Sequence, residues 1–289
     1  MNHPDRYAVI GNPIAQSKSP TIHTLFAQAT TQHMVYSKVQ APLGGFAATV
    51  DAFINDTSAG PACGINITAP FKMDAFAYAT QRTERAQLVG AANALKFERT
   101  ASGMTVIADN FDGIGLVRDV LHNLATPLAG KRVLILGAGG ATRGALLPIL
   151  AEKPALVVIA NRSVDKAREL ATLGGAHSSH SSHSTVRAYA YLDLAGQSFD
   201  IVFNATSASL QGELPPLPAT VFAPGVLAYE LAYGKGLTPF LLLARSAGVT
   251  HLADGVGMLV EQAAEAFAWW RGVRPATRAV IDHITVPLV

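Results

Sequence analysis

The stretch KRVLILGAGGATRGALLPILAE, residues 131–152, constrains the fold more than any other part of this chain. An apolar run, VLIL, breaks into a glycine-rich turn and then into an apolar helical pattern. Strand, tight turn and helix form the opening of a βαβ unit, and such units assemble into a parallel sheet covered on both faces. One glycine permits the tight turn, a second lets the backbone approach an anion closely, and the helix that follows offers free N–H groups and a partial positive charge. Gly137, Ala138, Gly139, Gly140 and Ala141 are therefore candidate contacts to the pyrophosphate of a dinucleotide. The sixth place of the G-x-G-x-x-G pattern is Thr142, so the strand before and the helix after carry the reading.

The end of the next strand, ALVVIANRS at 155–163, chooses the dinucleotide. A free ribose 2′-hydroxyl calls for a carboxylate there. This chain offers Asn161, Arg162 and Ser163, with Lys166 one turn further on. The planar fork of an arginine suits a 2′-phosphate, which a carboxylate would repel. The expected cofactor is NADP. A helix over 164–173 and strands FDIVFNATS (199–207) and GVLAYELAY (225–233) continue the alternation. Residues 112–252, opened by a helix over 112–124, are predicted to form a Rossmann-like, doubly wound NADP-binding domain.

The preceding residues read as a second α/β unit, 1–111. Strands are expected at 7–11, 36–42 and 63–70, with paired strands at 92–98 and 103–110. Helices are expected at 45–56 and 72–80, and at 19–30 with Ser19 as cap and Pro20 in the first turn. The tail, 253–289, opens with a long helix expected to pack back onto this first unit. The fold class is thus α/β with two domains.

Polar residues stand out in so apolar a chain, 49% hydrophobic and 15% charged. NITAPFK ends an apolar segment on Lys72, an ammonium placed where a helix begins and where its charge is unfavourable. In QSKSP, an ordinary cap accounts for Ser19 but not for Ser17; the other reading is a carboxylate pocket of two hydroxyls and a helix N-terminus. Asn93 and Asp112 lie at strand ends, where sites collect and where turn residues also fall. Gln262 sits on the apolar face of the last long helix, as a satisfied core glutamine does. GGAHSSHSSHST, at 174–185, reads as a flexible surface loop rather than a metal site, because no carboxylate or cysteine accompanies its histidines.

Charge and cysteine exclude other classes. Lys+Arg 22 against Asp+Glu 20 leaves no footprint for nucleic acid. A single cysteine, Cys63, permits no disulfide within the chain and suits a reducing cytoplasm. The start, MNHPDRYAVIG, lacks the apolar region of a signal peptide, and no apolar run is long enough to span a membrane. A monomer or homodimer acting on a small molecule is expected.

The segments YAVIGNPIAQSKSP, NITAPFK, GAANAL, DNFDG, GAGGATRG, ANRS, FNATS, GKGLTPF and DGVGMLVEQA, in this order, resemble the shikimate dehydrogenase family over almost the whole chain. The resemblance implies NADP-dependent interconversion of 3-dehydroshikimate and shikimate, a step of aromatic amino-acid biosynthesis. It implies that Lys72 and Asp112 are the catalytic pair. It implies that Ser17 and Ser19 hold the substrate carboxylate, with Thr68, Asn93, Tyr233 and Gln262 completing the substrate site. Quinate or a related ring acid as substrate, and an inactive NADP-binding sensor, are the alternatives.

The chain departs from the family pattern at Ala69, at Ala94 after Asn93, at Glu230, and above all at Phe111, where Asn-Thr-Asp-Gly is usual and Asn110-Phe111-Asp112-Gly113 stands here. If Phe111 faces the substrate, a ring hydroxyl loses a partner. The other orientation turns Phe111 into the domain core and leaves the pocket untouched; of the two, the favoured expectation is a weakened shikimate site that Phe111→Thr would repair.

Overall fold

The computed structural model describes residues 3–101, 103–181 and 184–289. The chain divides into two compact units, residues 1–112 with 260–283 and residues 113–259 with 284–289.

The first unit runs β1 (Asp5–Gly11), α1 (Ser19–Ala29), β2 (Met34–Gln40), α2 (Phe46–Asn55), β3 (Ala62–Ile67), α3 (Lys72–Tyr78), β4 (Gln81–Arg82), α4 (Glu84–Val89), β5 (Ala94–Thr100) and β6 (Gly103–Asp109). Its sheet has the order β2-β1-β3-β5-β6-β4. Neighbours are parallel except β5, which runs antiparallel to β3 and to β6. β5 and β6 form the predicted pair, from Ala94↔Asp109 to Thr100↔Gly103. Side chains alternate between the faces. Ala8, Ile10, Ile65, Ile67 and Leu95 pack with Phe46, Val50 and Phe53 of α2 on one face. Tyr7, Ala94, Tyr36 and Cys63 pack with Phe111, Ala266 and Trp270 on the other.

α5 (Asp112–Arg118) leads into the second unit, which continues β7 (Arg132–Leu136), α6 (Gly140–Ala151), β8 (Leu156–Ala160), α7 (Val164–Ser181), β9 (Thr185–Tyr189), β10 (Phe199–Asn204), β11 (Phe222–Glu230), α8 (Pro239–Ser246) and β12 (His251–Asp254). The sheet order is β12-β11-β10-β7-β8-β9, parallel throughout. Read from the β9 edge, this is third, second, first, fourth, fifth, sixth, the order of a dinucleotide-binding fold. Its central strands β7, β8 and β10 are buried and so read as apolar runs, while the edge strands β9 and β12 are not. Val133, Ile135, Val157 and Ile159 face α6 and α7, while Leu134, Leu136, Val158 and Val202 pack with Phe240 and Leu241 of α8.

The chain ends with α9 (Val256–Arg271) and α10 (Arg278–Ile284). From Val260 onward α9 belongs to the first unit. Trp270 fixes it there: its indole N–H donates to Leu95 O at 3.1 Å, and a Cβ added at Gly64 would lie 2.6 Å from the indole nitrogen. Among the described residues no helix is long and apolar enough to cross a membrane.

Three local expectations are corrected. Ser19 is the first residue of α1 and does not cap it; Lys18 stands at the cap position without a side-chain cap, and the Ser17 Oγ accepts the Ser19 N–H at 3.3 Å. The helix expected over 112–124 is α-helical only to Arg118 and widens into a π turn over Asp119–Asn123, where the Asp119 carboxylate is turned inward to accept from Tyr229 OH at 2.7 Å. The stretch expected as a loop from 174 instead continues α7 to Ser181. Gly174 is there for contact rather than for a turn, because an added Cβ would lie 3.2 Å from Leu150 and Val186. Residues 182 and 183, at the end of that stretch, lie outside the described residues.

Candidate functional site

In the second unit, β7 delivers Gly137 to a cleft of about 510 Å3. The cleft is lined by Gly137, Ala138, Gly139, Gly140, Ala141, Asn161, Arg162, Ser163 and Lys166, all the positions singled out in the sequence, and also by Tyr191, Thr206 and Ser207. Gly137 needs its glycine: φ is +98°, and a Cβ would press on the Ala205 carbonyl at 3.1 Å. The turn behind it is closed by Thr142, fully buried, whose hydroxyl donates to Gly137 O at 2.7 Å. Gly139 and Gly140 differ, since a Cβ added at either meets no protein atom within 4 Å. Protein packing does not require these two glycines. They keep open the space ahead of the α6 N-terminus, as a pyrophosphate needs. Arg162 lies close enough to the Tyr191 phenol to lower its pKa, against the burial that raises it. No acidic residue follows β8 at Asn161, Arg162 and Ser163. The residues present fit NADP.

In the first unit, Lys72 is the first residue of α3 and Asp112 the first of α5. Lys72 Nζ donates to Asp112 Oδ2 at 2.6 Å. Asn93 joins the pair: its Nδ2 donates to Asp112 Oδ1 at 2.8 Å and to Gln262 Oε1 at 3.1 Å, while its Oδ1 accepts the Phe111 N–H at 2.9 Å. Gln262 is thus part of the cluster rather than a core residue alone. Asp74 in the first turn of α3 offsets the unfavourable position of the lysine.

Ser17 and Ser19 lie together before and within the first turn of α1, with Ser17 Oγ 3.2 Å from Ser19 Oγ. The Ser19 hydroxyl faces Tyr36, opposing the burial that pushes this phenol well above its usual range. Tyr36 OH donates to Asn66 Oδ1 at 2.7 Å, and Asn66 Nδ2 donates to the Asn93 carbonyl at 3.2 Å. Hydrogen bonds therefore lead from Tyr36, beside the Ser19 hydroxyl, through Asn66 to Asn93, Asp112 and Lys72. His23, Tyr36 and Asn66 were not singled out in the sequence. Asn66 sits within the apolar strand GINI, where nothing marks it except that an amide there must find partners.

Thr68 follows β3, partly buried, its N–H on Ile10 O at 3.0 Å. Tyr233 belongs to the second unit, on the segment after β11, and is part exposed; burial raises its phenol pKa. The Phe111 side chain, unlike its backbone N–H, does not join the polar cluster. It is buried, edge-on to Trp269 at 5.6 Å between ring centres, with the Arg85 guanidinium 5.1 Å from the centre of its ring. Of the two orientations open to the sequence, the ring takes the one turned into the core, beside α9, and not the favoured one facing the substrate. Glu230 is also explained: fully buried, it accepts from Asn204 Nδ2 at 2.8 Å, Thr238 Oγ1 at 3.1 Å and Ala232 N at 3.2 Å, tying the end of β10 to the start of α8.

Comparison with known proteins places these features in a family. Residues 9–95 match the shikimate dehydrogenase substrate binding domain, 119–211 the shikimate / quinate 5-dehydrogenase family, and 255–284 the shikimate 5′-dehydrogenase C-terminal domain. A shikimate dehydrogenase (NADP(+)) of Aromatoleum aromaticum is 52% identical over 277 residues, 96% of this chain and 95% of that protein. The crystal structure of an Ael1 enzyme from Pseudomonas putida is 59% identical, with a TM-score of 0.89 over 99% of this chain and 100% of its own. Thermus thermophilus shikimate 5-dehydrogenase, solved in complex with NADP(H) and shikimate, is 26% identical, with a TM-score of 0.80 over 96% of this chain and 97% of its own.

Proposed function

The chain belongs to the shikimate dehydrogenase family, and from that premise we propose that it interconverts 3-dehydroshikimate and shikimate with NADP. The observation that carries the reading is the Lys72–Asp112 pair held by Asn93. Reduction of a ketone needs a hydride on carbon and a proton on oxygen. NADP, when bound, supplies the hydride chemistry. Lys72 gives the proton to the carbonyl oxygen as an ammonium, and in reverse its amine takes the proton of the alcohol. Asp112 orients it, and Asn93 fixes Asp112. Ser17 and Ser19 hold the substrate carboxylate, and Thr68, Asn93, Tyr233 and Gln262 hold the rest of the ring acid. Arg162 and Lys166 hold the 2′-phosphate; residues 137–141 hold the pyrophosphate. The protein works in the cytoplasm as a monomer or homodimer.

The test is NADP+ and NAD+ reduction with shikimate, quinate and close analogues compared side by side. Turnover of shikimate with NADP+ is expected, and its absence from an otherwise folded protein overturns the reading. A second reading, quinate or a related hydroxylated ring acid as substrate, is favoured by one observation: residues 119–211 match the shikimate / quinate 5-dehydrogenase family. The analogue series decides between them.

A further inference from the structure

His23 takes no part in the reaction just described, yet it lies fully buried against the polar chain of the first unit. Its ring stacks on Tyr36 at 4.2 Å and 5°, with Phe26, Phe267 and Trp270 around it. Aromatic surroundings of this kind suit a phenylalanine. The imidazole instead leaves Nδ1 without a partner among the described residues, and a buried acceptor without a donor is destabilising.

Geometry assigns its proton. Asn66 turns one end of its amide to the Asn93 carbonyl, at 3.2 Å. A carbonyl only accepts, so that end is the NH2. The other end is the oxygen, and it faces both His23 Nε2 at 3.0 Å and Tyr36 OH at 2.7 Å. Both must donate. His23 therefore carries its proton on Nε2, and Tyr36 points its own proton inward, leaving the phenol oxygen free to accept on the Ser19 side. Burial, which pushes the imidazole pKa down to about 3, keeps His23 neutral in agreement with this assignment.

We infer that His23 is a positioning residue: its Nε2–H holds the Asn66 amide from the side opposite Asn93, and so fixes the direction of the hydrogen bonds that run from Tyr36, beside the serine pair, to the Asn93–Asp112–Lys72 cluster. Without that N–H, Asn66 Oδ1 loses one of two donors, and Tyr36 is no longer held to a single orientation. The inference rests on the shikimate reading for its kinetic test only.

Two variants separate polarity from packing. His23→Phe keeps a stacking ring and donates nothing. His23→Gln loses the ring but carries an amide N–H at about the reach of Nε2. His23→Phe should raise KM for shikimate about 5–30-fold, lower kcat by less, and leave KM for NADP+ unchanged. His23→Gln should recover most of that loss. Equal defects in both variants, or a His23→Phe enzyme that matches wild type, overturn the inference. Nitrogen NMR on the wild-type protein needs neither variant nor substrate. From about pH 5 to 8 the His23 ring should show one bare nitrogen and one proton-bearing nitrogen, the latter Nε2. An Nδ1–H tautomer, with Nε2 bare, overturns the inference. The Asn66 side-chain amide resonances should shift in His23→Phe and return in His23→Gln, and if they do neither the positioning role fails. A wild-type protein that leaves shikimate untouched sinks the proposed function alone, and the NMR arms still decide for His23.

Discussion

Asp112 is held from two directions by named partners: Lys72 Nζ lies 2.6 Å from one carboxylate oxygen and Asn93 Nδ2 lies 2.8 Å from the other. The ion pair is part exposed, with side-chain exposures of 37% for Lys72 and 17% for Asp112. As a surface pair it would contribute little to stability, a median of about 0–1 kcal/mol. Its order is therefore better explained by chemistry than by folding. A positioned acid–base group contributes ~10²–10⁴-fold to rate, so Lys72→Ala should lower kcat by that order while the fold and NADP+ binding persist. Asp112→Asn should also lower kcat, since the lysine loses its orienting charge. A Lys72→Ala enzyme with unchanged kcat and a raised KM would show a binding residue instead.

Arg162 carries the second prediction. It lines the dinucleotide cleft beside Lys166 and Tyr191. A hydrogen bond to a charged group is worth ~1.5–3 kcal/mol, which is ~10–150-fold in affinity. Arg162→Ala should weaken NADP+ by that factor and leave NAD+ nearly unchanged, as read by titration of each cofactor. Equal losses for both would remove the 2′-phosphate assignment.

The two sites differ in how legible they were. The cofactor cleft is written mainly in consecutive residues, a glycine turn and the end of the next strand, so local chemistry predicts its lining. The first-unit cluster is assembled by the sheet; Asn93 and Gln262 meet across 169 positions, and no spacing rule reports that. His23, Tyr36 and Asn66 were missed because each sits in a segment that also reads as core. Among elements, the apolar strands of the second unit were plain, β7 and β8 even at five residues each, because an uninterrupted apolar run needs no period. β9 and β12 mix polar and apolar residues over five and four positions, too few for a period to show. Helix α4 was missed although Thr83 caps it and Gly90 ends it in the left-handed conformation, because six residues carry too little pattern.

Phe111 yields a prediction that reverses the one from sequence. Its ring is packed against Trp269 and Arg85 in the core, away from the polar cluster. Phe111→Thr removes most of a buried ring and adds a hydroxyl without an assured partner. The loss of unfolding free energy should be about 3 kcal/mol, measured by urea titration. KM for shikimate should stay within roughly 3-fold of wild type. A several-fold fall in KM with little change in stability would return Phe111 to the substrate site.

His23 makes stability depend on pH in a window that can be stated. Buried among Phe26, Tyr36, Phe267 and Trp270, with Asn66 as its partner, its pKa is lowered from 6.5 to about 3. Tyr36, the other titratable group in contact, is raised well above 10 and does not titrate in the same range. Between these two values of the imidazole pKa the unfolded chain binds a proton at this residue and the folded chain does not. Stability therefore rises with pH across the window. The contribution is complete above about pH 6.5 and is lost as pH falls toward 3, at up to ~1.4 kcal/mol per pH unit from this group. Unfolding free energy measured from about pH 7 down to pH 4 should fall more steeply in the wild type than in His23→Gln, whose side chain does not titrate. Parallel curves for the two proteins would mean that His23 is protonated in the folded state, which contradicts its burial, the effect that outweighs the opposing bond to Asn66.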